Sequence, residues 1–144
     1  MIGPLALVLT VVLAAIGLIH LAWAFGLRWP ARDEAGLVAT VIGRTRDGRM
    51  PSRPVTILVA AAILAAAALV AAVSRNAIPA QFVAAALFAY AALDLIFMLR
   101  GLSGYVATMW RHTEGTPFHR LNRLYYSPLC LLIAAGLSAN LLLR

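Results

Sequence analysis

Four long apolar runs, at residues 2–27, 55–73, 82–99 and 128–143, dominate the chain. Each is close to the roughly 17 to 25 residues an α-helix needs to cross a bilayer, the last only if Tyr125 and Tyr126 extend it. The first run has no basic leading segment and is longer than the apolar core of a leader peptide, so it is expected to remain as a span. The connections between the runs are unequal. Residues 74–81 make a tight hairpin, whereas residues 28–54 and 100–127 are long enough to carry structure of their own. In the first long connection, Leu37, Val38, Val41 and Ile42 form a helical stripe after Asp33 and Glu34 and before Gly43, the pattern of a capped interfacial helix. Pro51 and Pro54 then bracket Ser52 and Arg53 and close that loop against the second span, whose alanine-rich surface permits close helix approach.

The second long connection runs into the segment from Thr116 to Cys130, where most of the polar chemistry gathers. Thr116 before Pro117, and Ser127 before Pro128, read as two helix starts: a hydroxyl to accept orphan N–H groups, then a proline whose missing N–H costs nothing there. A short helix over Pro117 to Tyr126 is therefore predicted to feed a longer one. On it Phe118, Leu121 and Tyr125 share a face suited to acyl chains, while His119, Asn122, Arg123 and Tyr126 share one suited to headgroups or a polar cavity. The predicted fold class is all-α. It is a four-transmembrane-helix bundle in a single domain, residues 1–144, with two long loops carrying short interfacial helices on one face.

Composition agrees with that pattern. Of the 144 residues 63% are hydrophobic and 12% charged, against the roughly half apolar usual in soluble domains, and the mean hydropathy is +0.91. The net charge of +7 comes from twelve basic residues, all arginine. Because these arginines flank apolar spans, anionic lipid headgroups are the expected partner and nucleic acid is not. Ten of them (Arg28, Arg32, Arg44, Arg46, Arg49, Arg53, Arg100, Arg111, Arg120 and Arg123) fall in the long connections, against Arg75 and Arg144 elsewhere. The positive-inside rule then places both long loops in the cytoplasm and both termini outside. A lone cysteine, Cys130, excludes an intrachain disulfide and any Cys-x-x-Cys chemistry.

Two ionisable groups fall inside spans, His20 in the first and Asp94 in the third. Such residues are costly in lipid and are functional candidates by default. His20 lies eight positions before Arg28 and Asp94 six before Arg100, so both sit about 9 to 12 Å inside the arginine-rich face at 1.5 Å per residue. Facing one another, they would form a general acid–base pair, with the carboxylate fixing the imidazole tautomer. Trp23, Tyr90, Arg120, Arg123 and Tyr126 are the matching candidates for ligand binding. The plainer alternative is that the His–Asp pair, or Asp94 with Arg100, Arg120 or Arg123, only joins helices. His112, Glu114 and His119 match no metal-binding spacing, and His20 lacks a second histidine within a span to complete a haem site, so no metal site is assigned and no cofactor is named.

The residues Ile19-His20, Trp23-Ala24, Gly26, Trp29-Pro30, Met50-Pro51-Ser52 and the stretch from Thr116 to Leu131 with its Tyr-Ser-Pro-Leu-Cys core resemble an uncharacterised bacterial four-span membrane family, domain of unknown function 3995. The resemblance covers nearly the whole chain. It implies four helices, places the protein in the bacterial inner membrane, and carries no activity with it. The expected function is a polar pocket near the cytoplasmic face that binds or converts a lipophilic small molecule by His/Asp acid–base chemistry. The alternative is a non-catalytic assembly or ligand-binding subunit, including a homo-oligomer, with haem binding and a small exporter ranked behind.

Overall fold

A computed structural model describes residues 3–143, which are helices joined by turns and loops. Ile2, where the first apolar run opens, and Arg144, one of the two arginines opposite the long loops, lie outside the described residues. Helices α1 (Pro4–Ala24), α2 (Glu34–Val41), α3 (Arg53–Ser74), α4 (Val83–Ser103), α5 (Ala107–Trp110), α6 (Pro117–Leu121) and α7 (Ser127–Leu142) follow in order. Four helical segments are long and apolar enough to cross a bilayer: Pro4–Ala24, Arg53–Ser74, Ala80–Ser103 and Pro117–Leu142. They make this an all-α, four-span architecture of the multi-pass membrane class.

Local chemistry sets the helix ends. Pro4 and Pro54 occupy first-turn positions, where no intrahelical N–H is needed. α1 stops at Ala24, short of Leu27, because Gly26 takes a φ of 94° and lets its own N–H and that of Leu27 return to the Trp23 and Ala22 carbonyls. α2 starts as its sequence implies, with the Asp33 carboxylate accepting the Gly36 N–H at 2.7 Å.

The last span differs from expectation. α7 begins at Ser127 as a continuation rather than a capped start: the backbone there is already helical and the Ser127 hydroxyl donates to Asn122 Oδ1. The chain is helical from Pro117 to Leu142 through one π-helical turn, Asn122–Tyr126. Pro128 lacks the N–H for the standard helical bond and its ring crowds the carbonyl four residues earlier, and the wider turn just ahead of it relieves both. At the other end, the Thr116 hydroxyl donates to the Thr113 carbonyl at 2.6 Å rather than capping N–H groups.

α1 packs chiefly on α3 and α4 chiefly on α7, while lighter α1–α7 and α3–α4 contacts close the bundle. Leu9, Leu13, Val70, Tyr90, Ile133 and Leu137 meet in its core. The two long loops interlock at one end. α2 buries Leu37 and Val38 and packs on α6, the Tyr126 hydroxyl donates to the Thr40 carbonyl at 3.1 Å, and Arg44 Nη2 donates to the Glu114 carbonyl at 3.0 Å. Leu37 and Val38 of the α2 stripe are thus buried where the loops meet, while Val41 and Ile42 stay half-exposed.

Candidate functional site

The face assignment of the 117–126 segment is corrected by its packing. Phe118 is only 3% exposed, with its ring 5.4 Å from Trp110 and 5.9 Å from Tyr126, so it is not available to acyl chains. Asn122, expected on the polar face, is 1% exposed. The inward line is Phe118, Asn122 and Tyr126, spaced four residues apart, while Leu124 and Tyr125 point outward. That four-residue spacing was the available signal, and three-residue periodicity hid it.

His20 sits near the loop end of α1, its Nδ1 2.7 Å from the Ile16 carbonyl. A carbonyl only accepts, so Nδ1 carries a proton, and in the neutral ring Nε2 is the acceptor. The Trp23 ring lies 4.8 Å away, and the Trp23 indole N–H donates to the Trp29 carbonyl at 2.8 Å, which fixes that wall. Beside them is a cleft of about 180 Å³, mostly apolar, lined by His20, Trp23, Ile42, Val55 and Val59 among others. Through Trp23, Met50 and Pro51 it adjoins a second hollow of about 320 Å³, whose lining includes Arg28, Glu34 and Arg53. Together they form a trough with a charged half at Arg28, Glu34 and Arg53 and an apolar half beside His20. Beside Gly17, one turn before His20, the space is filled by Leu64 of α3.

Asp94 is engaged elsewhere. Its carboxylate accepts the Ser138 hydroxyl of α7 at 2.6 Å, and it does not line the His20 cleft. Among the described residues no ion pair joins Asp94 to His20, Arg100, Arg120 or Arg123. The expected face-to-face His20–Asp94 pair is therefore not formed, because α1 leans on α3 while α4 leans on α7. Tyr90 is buried too: its hydroxyl accepts from Asn140 Nδ2 at 2.9 Å and donates to the Leu137 carbonyl at 3.3 Å, and Asn140 also reaches the Ser74 hydroxyl at 3.1 Å. Arg120 and Arg123 are exposed beside His119 on the outer surface of the last span. Of the residues singled out, the structure brings His20 to Trp23, sets Asp94 and Tyr90 against α7 and Tyr126 against α2, and leaves the two arginines together on the outer surface. No group of three or more His, Cys, Asp or Glu among the described residues could hold a metal ion, and His112, Glu114 and His119 are not gathered.

Sequence reasoning missed Ser138 and Asn140, and it set Asn122 on an outward polar face rather than between helices. A polar residue inside an apolar span in lipid seeks a partner on a neighbouring helix, so each was a signal for helix pairing.

Four apolar spans with two interlocked loops at one end define a polytopic membrane bundle. The chain belongs to the family described as Protein of unknown function (DUF3995), whose model matches residues 13–137. No curated protein matches it, and no solved structure does.

Proposed function

We propose that this protein holds a lipophilic small molecule with a polar head in the trough between α1, α3 and the first long loop. The observation that carries the reading is the pairing of the apolar His20 cleft with the charged hollow at Arg28, Glu34 and Arg53. An apolar tail would lie against Val55 and Val59, and a hydroxyl or N–H of the ligand would bond to His20 Nε2, the acceptor left by the fixed tautomer. Conversion by a His20–Asp94 acid–base pair has no support from their separate hydrogen bonds, so binding is the better reading, with His20 as its polar anchor. The ten-to-two arginine asymmetry argues that the trough opens to the cytoplasm of the bacterial inner membrane, with both termini outside.

The test is extraction of the purified protein followed by mass spectrometry. The wild type should carry a lipophile at near one per chain, and Val59→Trp, which fills the cleft from a partly exposed position, should lose it while circular dichroism is unchanged. Equal retention by both proteins would overturn the reading. A second reading, a membrane assembly subunit, draws support from the Asp94–Ser138 bond, which lies on a half-exposed flank where a neighbouring protein could cover it.

A further inference from the structure

On the α4–α7 side, apart from the trough, a cavity of about 70 Å³ is framed by Gly104, Tyr105, Trp110, His119, Asn122 and Arg123. It adjoins a shallower groove of about 370 Å³ that shares Tyr105, His119 and Arg123 with it and adds Arg120 and Leu124. No carboxylate lines either one.

The walls are built to donate hydrogen bonds. Asn122 Oδ1 accepts Arg100 Nη2 at 2.8 Å and the Ser127 hydroxyl at 3.4 Å. These two donors fix the amide, so Nδ2, on a side chain that is 1% exposed, is left at the cavity wall with no protein partner. Behind it the Arg100 guanidinium lies 4.9 Å from the Trp110 ring centroid, its Nη1 buried without a hydrogen-bond acceptor. The Thr113 hydroxyl gives its one proton to the Trp110 carbonyl at 2.7 Å, so His119 Nδ1, 3.1 Å away, must donate to it, and this holds the His119 ring in place at the cavity. Arg123 and Arg120 add two exposed cations. Leu124 and Tyr125, exposed on the same stretch, offer an apolar rim.

We propose that this cavity binds the phosphate group of an anionic amphiphile. Donors converging from Asn122 and Arg123, with the Arg100 charge behind them, suit a group carrying several acceptor oxygens. The apolar rim beside them suits acyl chains at the end of a span.

The test is native mass spectrometry of the purified full chain in micelles with phosphatidylglycerol or phosphatidylcholine. The wild type should retain one phosphatidylglycerol with about a tenfold preference over phosphatidylcholine, the discrimination expected from one or two charge-assisted bonds. Arg123→Gln should erase that preference. Asn122→Asp should erase it too: it keeps an acceptor for Arg100, and so the fold, while replacing the Nδ2 donors with a carboxylate. Arg46→Gln removes an equal charge from the exposed turn outside both hollows and should leave the preference intact. Glycerol 3-phosphate distinguishes the sources. Displacement of the lipid by this soluble competitor assigns the site to the phosphate alone, and failure to displace assigns it to the lipid; both support the phosphate site. Equal retention of the two lipids, or an Arg46→Gln effect as large as that of Arg123→Gln, would overturn it.

Discussion

The two helix pairs of this bundle are held by different means. Between α1 and α3 no side-chain hydrogen bond crosses among the described residues: Thr10 to the Ala6 carbonyl, His20 to Ile16, and Thr56 to Ser52 and Pro51 stay local, Trp23 reaches the Trp29 carbonyl in the following loop, and Ser74 at the end of α3 accepts from Asn140 of α7 instead. What joins these helices is close packing of small and aliphatic residues such as Ala60, Ala67 and Val70 against Leu9 and Leu13. Between α4 and α7 the bonds cross from helix to helix: Asp94 with Ser138, Tyr90 with Asn140, and Arg100 with Asn122 just ahead of α7. Lipid tails are as apolar as leucine, so helices in a bilayer associate by tight packing or by polar bonds, and this chain adds the second device in one half only. The smooth pair borders the proposed lipophile trough, and the polar pair borders the donor-lined cavity.

That contrast can be broken by substitution. The largest effect is expected for Asn122→Ala, which removes the acceptor from a partly buried guanidinium and a partner from Ser127; a loss of about 3 kcal/mol is expected from a charge left without its bond. Thermal unfolding in detergent reads it, and a change within the error of the melt would show that Arg100 does not pin α7. Next comes Gly104→Ala. A Cβ there would collide with the Ser127 side chain, as one at Gly17 would press on Leu64 Cγ and Cδ2 with the Leu64 backbone N close behind. Overpacking should cost about 2 kcal/mol at either glycine, by the same melt, so that close approach holds both pairs while polar bonds hold only the second.

The four spans were legible because a bilayer demands long apolar runs, and α2 was legible because Asp33, the Leu37–Val38 stripe and Gly43 all give one answer. Helix pairing was not. Arg100 read as a flanking charge, since a helical pattern states which residues share a face but not which face meets which neighbour. The segment from Phe118 to Tyr126 misled for a further reason: Pro128 usually marks a helix start, and the sequence does not announce that a π turn will carry the helix through it. His20 and Asp94 do lie inside spans as read, but matched depth fixes only a height. It says nothing of the angle around the bundle, and the pairing of α1 with α3 sends them to different neighbours.

A smaller effect is expected for Tyr90→Phe, near 1 kcal/mol. The buried hydroxyl both accepts from Asn140 and donates to the Leu137 carbonyl, yet bonds between helices in membranes contribute modestly, since the unfolded helices also find partners. Asn140→Leu should cost a similar amount, and the double variant should cost less than the sum because one bond is shared. Full additivity would mean the two side chains do not act together.

The smallest effect is expected for His20→Phe, and it decides whether the smooth half is smooth. His20 also places a polar side chain within a span, so a count of polar residues would rank it beside Tyr90. Its bond partner argues otherwise. The Ile16 carbonyl belongs to the same helix and, four residues before His20, is the normal acceptor for the His20 backbone N–H, so removing the imidazole strands no group on another helix. Phenylalanine keeps a ring against Trp23 and suits the apolar cleft. A change of about 0.5 kcal/mol or less is therefore expected in the same melt, together with loss of the extracted lipophile, because Nε2 is gone. A cost equal to that of Tyr90→Phe would mean that the α1–α3 half also depends on a polar contact, and the division between the two halves would fail. A neutral melt with the lipophile retained would keep that division and remove His20 from the site, leaving the apolar half of the trough to hold its occupant alone.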